Sequence, residues 1–96
     1  MDQIEKFKKD SEALVKKNGE NGSLITAAHG FLEESAKASY SYNFSWMGRP
    51  IIQYPQDIIA MQELIWRVKP DLIIETGVAH GGSLIFSASM LALLEA

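Results

Sequence analysis

Cysteine is absent from this 96-residue chain, which excludes a disulfide framework, a thiolate metal site and a cysteine nucleophile. Long hydrophobic runs are also absent. The longest unbroken one, residues 90–94, is far shorter than the roughly 20 residues that a membrane-spanning helix needs. The first residues are charged and lack the apolar stretch of a signal peptide. These features predict a soluble cytoplasmic protein with no transmembrane segment.

An excess of positive charge is missing as well. The net charge is −3, with acidic and basic residues interspersed, so no basic face is expected and nucleic acid is not a predicted partner. Hydrophobic residues make up 47% of the chain and charged residues 22%, which is ordinary for a folded domain. A chain of this length forms one small domain, or part of one, with a modest core.

The most informative stretch runs from residue 69 to residue 94. Residues 72–75 are predicted to form a short buried strand, and an apolar helix is predicted from about residue 83. Between them lies a turn containing Gly77, Gly81 and Gly82, residues that adopt positive φ and let backbone N–H groups approach a ligand. A strand, a glycine loop and a helix in this order are typical of a nucleotide-type cofactor site in an open α/β sheet.

The loop sequence distinguishes between cofactors. A dinucleotide site uses G-x-G-x-x-G, but Ala79 stands at the middle glycine, and Glu75 lies two residues before Gly77. A carboxylate is a poor neighbour for pyrophosphate but suits the ammonium or sulfonium group of S-adenosylmethionine. The carboxylate of that cofactor could rest on the helix N-terminus. A glycine-rich turn in which a helix simply packs tightly on a strand remains the structural alternative.

The remaining elements are read from periodicity and caps. Residues 3–17 form an amphipathic helix, Ser23 caps a second helix, and Pro55 begins a third that ends before Pro70. Residues 40–46 alternate aromatic and polar side chains and predict an extended segment, followed by a turn over residues 47–50. We therefore divide the chain into a helical segment, residues 1–39, and the beginning of a cofactor-binding domain, residues 40–96.

Four further side chains have competing interpretations. Most aromatic residues of the extended segment are expected to pack, whereas Trp46 and Arg49, beside the turn, are the ones expected to face a ligand. His29 is interpreted as a surface or packed residue rather than a metal ligand, and His80 as a solvent-facing loop residue.

The last predicted helix is apolar on most sides and requires cover on more than one face. Dimerisation through this helix would make a homo-oligomer. A parallel sheet needs several strands, and the chain supplies one clear candidate. The sequence therefore predicts the N-terminal part of a longer α/β protein.

Two segments together resemble the rhamnosyl O-methyltransferase/cephalosporin hydroxylase family. Residues 46–57 read WMGRPIIQYPQD, and residues 75–83 read ETGVAHGGS. The resemblance covers roughly residues 40–91 and is far more specific than the glycine loop alone. It implies the N-terminal part of a Rossmann-like class I methyltransferase fold of the α/β class, with helices, an aromatic extended segment, a first parallel strand and its following helix.

The resemblance also implies a function. Family members use S-adenosylmethionine, and the matching cofactor-binding residues here are Glu75, Gly77, Gly81, Gly82 and Ser83. The implied reaction is O-methylation of a hydroxyl on a sugar, a glycolipid, a polysaccharide or a natural product, so the partner is a small-molecule or glycan substrate. The catalytic base and the carboxylates of the family's Mg²⁺ site have no counterpart in the chain and are expected after Ala96.

Two other functions stay open at the level of sequence. An iron-dependent oxygenase would need two histidines and a carboxylate, but His29 and His80 fall in separate elements without a matching motif. A truncated, non-catalytic product is the other alternative, because the 96 residues alone are not expected to be active.

Overall fold

The computed structural model describes residues 2–96. The chain forms two compact units, with the boundary in the sequence between Lys37 and Ala38. Helices α1 (Gln3–Gly19) and α2 (Gly22–Lys37) form the first unit. The second unit contains strands β1 (Phe44–Trp46) and β2 (Arg49–Ile51) and helices α3 (Pro55–Val68) and α4 (Gly82–Glu95).

Both helices of the first unit begin at a side-chain cap. The Asp2 carboxylate accepts a hydrogen bond from the Glu5 N–H at 2.8 Å, and the Asn21 side chain accepts one from the Leu24 N–H at 3.1 Å. The prediction that Ser23 caps α2 is therefore wrong, because Ser23 already lies inside the helix. The apolar side chains on one face of the amphipathic helix α1 are at least 58% exposed, namely Ile4, Phe7, Leu14 and Val15.

The aromatic segment forms a hairpin rather than one long strand. Residues Tyr40–Tyr42 make a single 3-10 turn, and β1 then pairs antiparallel with β2 so that Trp46 lies opposite Arg49. The connecting residues Met47 and Gly48 have φ values of 48° and 82°, as a tight two-residue hairpin turn requires. The predicted turn over residues 47–50 is thus two residues long, and its second half belongs to β2.

The core of the second unit is small. It consists of Ile51 from β2, Ile65 from α3 and Phe86 from α4, each no more than 7% exposed. Helix α3 begins at Pro55 as predicted, and it ends where Lys69 takes a left-handed φ of 50° directly before Pro70. Surrounding the core are partly buried side chains: Phe44, Trp46, Ile58, Ile73, Met90 and Leu94.

The predicted parallel strand at residues 72–75 is not formed. Residues 69–81 carry no regular secondary structure, and within residues 2–96 the sheet has only the two antiparallel strands of the hairpin. Side chains still alternate as in a strand: Ile73 packs against the core, whereas Leu72 and Ile74 are 71% and 81% exposed. The segment lacks a ladder partner, and a strand exists only where its N–H and C=O groups are paired with a neighbour.

Helix α4 starts in direct contact with the hairpin. A Cβ atom on Gly82 would lie 2.8 Å from the Ile51 Cβ and 2.7 Å from the carbonyl carbon of Pro50, closer still to the Pro50 oxygen. Since most of these neighbours are backbone atoms of β2, they cannot move aside as a flexible side chain can. Only glycine fits where α4 meets β2.

Replacing Gly82 with alanine should therefore destabilise the second unit by about 1–3 kcal/mol, because the added methyl group overpacks against backbone. Urea unfolding followed by circular dichroism measures this loss. Gly30→Ala in α2 is the matched control. That position is open, so the change should raise helix stability by up to about 1 kcal/mol. Equal effects of the two substitutions would contradict the proposed close contact.

Candidate functional site

The second unit contains a cavity of about 400 Å³, which lies in the size range of small-molecule sites. Four segments enclose it: residues 50–53 at the end of β2 and just beyond it, the first turns of α3, residues 73–79, and the first turns of α4. The irregular segment that was predicted as a strand thus forms one wall. Its glycine loop and the start of α4 form the adjoining wall.

Glu75 is the charged group that the loop segment brings to this cavity. Its side chain is half-buried, and Oε1 accepts a hydrogen bond from the Ser87 hydroxyl at 2.5 Å. Ser87 lies on α4 and is only 7% exposed, so its hydroxyl is fixed by packing. The hydrogen bond holds one carboxylate oxygen against the helix, and the second oxygen retains its capacity to accept a bond from a ligand.

The N-terminus of α4 lies beside this carboxylate. Its cap residue, Gly81, has no side chain to accept a hydrogen bond, and the first helical bond runs from the Ile85 N–H to the Gly81 oxygen at 3.0 Å. The N–H groups of Gly82, Ser83 and Leu84 therefore have no acceptor inside the helix. Because Ser83 lines the cavity, the partial positive charge of the helix end borders the same space as Glu75.

The loop between these groups depends on left-handed backbone conformations. Gly77, Ala79 and Gly81 have φ values of 69°, 51° and 89°, and the Gly81 N–H donates to the Val78 oxygen at 3.0 Å. Alanine takes a positive φ less easily than glycine does. Ala79 replaces the middle glycine of the dinucleotide pattern, and it does so at a turn position whose left-handed backbone disfavours a side chain.

The structure brings together three of the five predicted cofactor-binding residues. Glu75, Gly77 and Ser83 line the cavity, whereas Gly82 is buried against β2. Gly81 does not line the cavity either: a Cβ there would lie 3.8 Å from the Arg49 guanidinium, and the residue acts as the cap of α4. Cofactor binding by all five residues remains a prediction.

Trp46 and Arg49 do not line the cavity, contrary to the interpretation from sequence. The Trp46 ring packs edge-on against Phe86 with centroids 4.8 Å apart, and its Nε1 donates to the Ser89 hydroxyl at 3.2 Å. Arg49 donates from Nε and Nη2 to the backbone oxygen of His80, at 3.1 and 2.6 Å. The aromatic ring thus belongs to the core, and the guanidinium binds the loop from outside.

Ser87 is the site residue that the sequence analysis missed. A signal was present: Ser83 and Ser87, two of the three serines in this largely apolar helix, are four residues apart and so lie on one face. Polar residues that repeat at this spacing in a buried helix indicate a polar contact on that face.

Within residues 2–96, no group of three or more His, Asp or Glu side chains is close enough to hold a metal ion. No helix in this range is both long and apolar enough to cross a membrane.

The cavity therefore combines a carboxylate with the partial positive charge of an uncapped helix end. Comparison with protein-family models identifies the family of the chain. It belongs to the rhamnosyl O-methyltransferase/CmcI family, a family of methyltransferases whose model matches residues 38–96. The matched range begins at the first residue of the second unit. No curated protein and no solved structure matches the chain.

The contact between Ser87 and Glu75 can be measured with a double-mutant cycle. Comparing Ser87→Ala, Glu75→Ala and the double variant by urea unfolding should give a coupling free energy of about 1 kcal/mol, since the hydroxyl donates to a half-buried carboxylate. A cycle of Ser45 with Glu75 is the control, because Ser45 is exposed on the hairpin and does not line the cavity. Additive effects in the Ser87 cycle would show that the hydrogen bond does not stabilise the fold.

Proposed function

We propose that this chain holds S-adenosylmethionine in a methyltransferase that acts on a hydroxyl oxygen. The observation that carries the proposal is the pairing of two opposite electrostatic features at one cavity: the Glu75 carboxylate and the uncapped N-terminus of α4. Membership of a methyltransferase family supports the same class of reaction. In this proposal, residues 40–96 belong to a Rossmann-like cofactor-binding domain, and residues 1–39 form a separate helical segment.

The residues around the cavity suit the two ends of the cofactor. Glu75 would balance the positive ammonium or sulfonium group, while the N–H groups at the start of α4, beside Ser83, would receive the carboxylate. Gly77 leaves space for close approach, since nothing lies within 4 Å of the Cβ position there. The side chains of Ile58, Met61 and Ile73 supply an apolar wall of the kind that small-molecule sites present.

S-adenosylmethionine, when bound, supplies a methyl group on a sulfonium centre that is open to attack by an oxygen nucleophile. The contribution of this chain is positioning, which by itself accelerates a two-substrate reaction strongly. Glu75, fixed by Ser87, would set the orientation of the charged end, and the core beneath α4 would keep that end immobile. The proposed acceptor is a hydroxyl of a sugar, a glycolipid, a polysaccharide or a natural product.

Titration calorimetry with S-adenosylmethionine tests the proposal. The unsubstituted chain should bind, and Glu75→Gln should lower affinity about tenfold or more, because the substitution removes a charge-assisted contact while keeping the side-chain size. Glu63→Gln is the control, since Glu63 is an exposed carboxylate on α3 outside the cavity and its neutralisation should leave affinity unchanged. Equal affinity of the Glu75 variant and the unsubstituted chain would refute the role assigned to Glu75.

The demethylated product, S-adenosylhomocysteine, identifies which positive group Glu75 faces. That molecule keeps the ammonium but lacks the sulfonium charge. If Glu75 pairs with the ammonium, Glu75→Gln should lower the affinity for both molecules by the same factor. If it pairs with the sulfonium, the substitution should lower the affinity for S-adenosylmethionine only.

A further inference from the structure

We infer that Arg49 is a positioning residue, which holds the glycine loop of residues 77–81 in the conformation that receives the cofactor. The expected effect on cofactor affinity rests on the proposed function. The effect of Arg49 on the loop conformation does not, and it can be tested without any ligand. Arg49 does not line the cavity, so it acts through the loop rather than on the ligand.

The geometry is that of a clamp with two donors on one acceptor. Arg49 Nε and Nη2 both donate to the His80 oxygen, at 3.1 and 2.6 Å, and so join β2 to a loop residue 31 positions later. The guanidinium also lies against Gly81, 3.8 Å from where a Cβ would be. Because the guanidinium is planar and its donors are fixed in direction, the two bonds set the orientation of this peptide unit.

Neither ion pairing nor the helix dipole accounts for the position of this side chain. Among residues 2–96, the ion pairs are Lys6 with Asp10 and Lys37 with Glu34, and neither involves Arg49. The guanidinium lies beside the cap of α4, where the partial positive charge of the helix end disfavours a cation. The described polar contact of the Arg49 side chain is with the loop carbonyl, which indicates that holding the loop is its role.

The loop needs an external contact because it holds itself together weakly. Residues 76–80 are exposed, and Gly77, Ala79 and Gly81 all have positive φ. The bond from the Gly81 N–H to the Val78 oxygen is the backbone bond described within the loop. Glycine-containing segments with few contacts sample many conformations. Fixing the His80 carbonyl lowers the entropy that ligand binding would otherwise have to remove.

Three variants of the full chain test the inference. Arg49→Met removes all donors but keeps a long apolar stem, and Arg49→Lys keeps the charge with a single point donor in place of the planar pair. Arg67→Met is the matched control, because Arg67 is the other arginine of the chain and is exposed on α3 outside the cavity. Amide hydrogen exchange without ligand and calorimetry with S-adenosylmethionine are measured for each.

In Arg49→Met, exchange of the Gly81 amide should accelerate about tenfold, which corresponds to about 1.4 kcal/mol, while amides inside α3 stay unchanged. Affinity for S-adenosylmethionine should fall by a similar factor. Arg49→Lys should give intermediate values, and Arg67→Met should match the unsubstituted chain.

Unchanged exchange of the Gly81 amide in Arg49→Met would overturn the inference. If affinity for S-adenosylmethionine nevertheless fell, Arg49 would act on the ligand directly and not through the loop. A third outcome separates the two proposals. If exchange accelerates in Arg49→Met but the unsubstituted chain does not bind S-adenosylmethionine, Arg49 holds the loop and the proposed function is refuted.

Discussion

The contact between the first residue of α4 and the backbone of β2 is the constraint on which the second unit depends. Gly82 lies so close to Pro50 and Ile51 that a side chain cannot be inserted, and this places the helix directly on the hairpin. Phe86, one turn further along, then reaches Ile51 and Ile65 in the core. A small unit has few buried side chains with which to fix a helix, so one backbone-to-backbone contact has a large effect.

The same helix organises the electrostatics of the cavity. Its uncapped first turn provides unpartnered N–H groups, and Ser87, one turn later, holds the Glu75 carboxylate. The helix end and the Glu75 carboxylate are therefore both held at α4, the first as part of the helix and the second through one hydrogen bond from Ser87. Arg49 connects the hairpin to the glycine loop at the His80 carbonyl.

Much of this unit could be predicted from sequence. Pro55 and Pro70 bracket α3, the glycines mark the loop, and the two motifs indicate the family that the comparison confirms. The sequence also placed an acidic residue, Glu75, just before the glycine loop, and this side chain lines the cavity, while its role in cofactor binding stays a prediction. Ser87 was not identified. Its spacing from Ser83 indicates a polar face on α4, but no local pattern specifies a partner twelve residues earlier.

The sequence by itself determined the approximate positions of the helices and of the glycine loop, because prolines and glycines act on their immediate neighbours. Tertiary structure alone decided the rest. Residues 72–75 alternate as a strand does, yet they form none among residues 2–96, since a ladder requires a partner strand that periodicity cannot supply. Likewise, Trp46 became a core residue and Arg49 a clamp, because the folding of the hairpin onto α4 chose their neighbours.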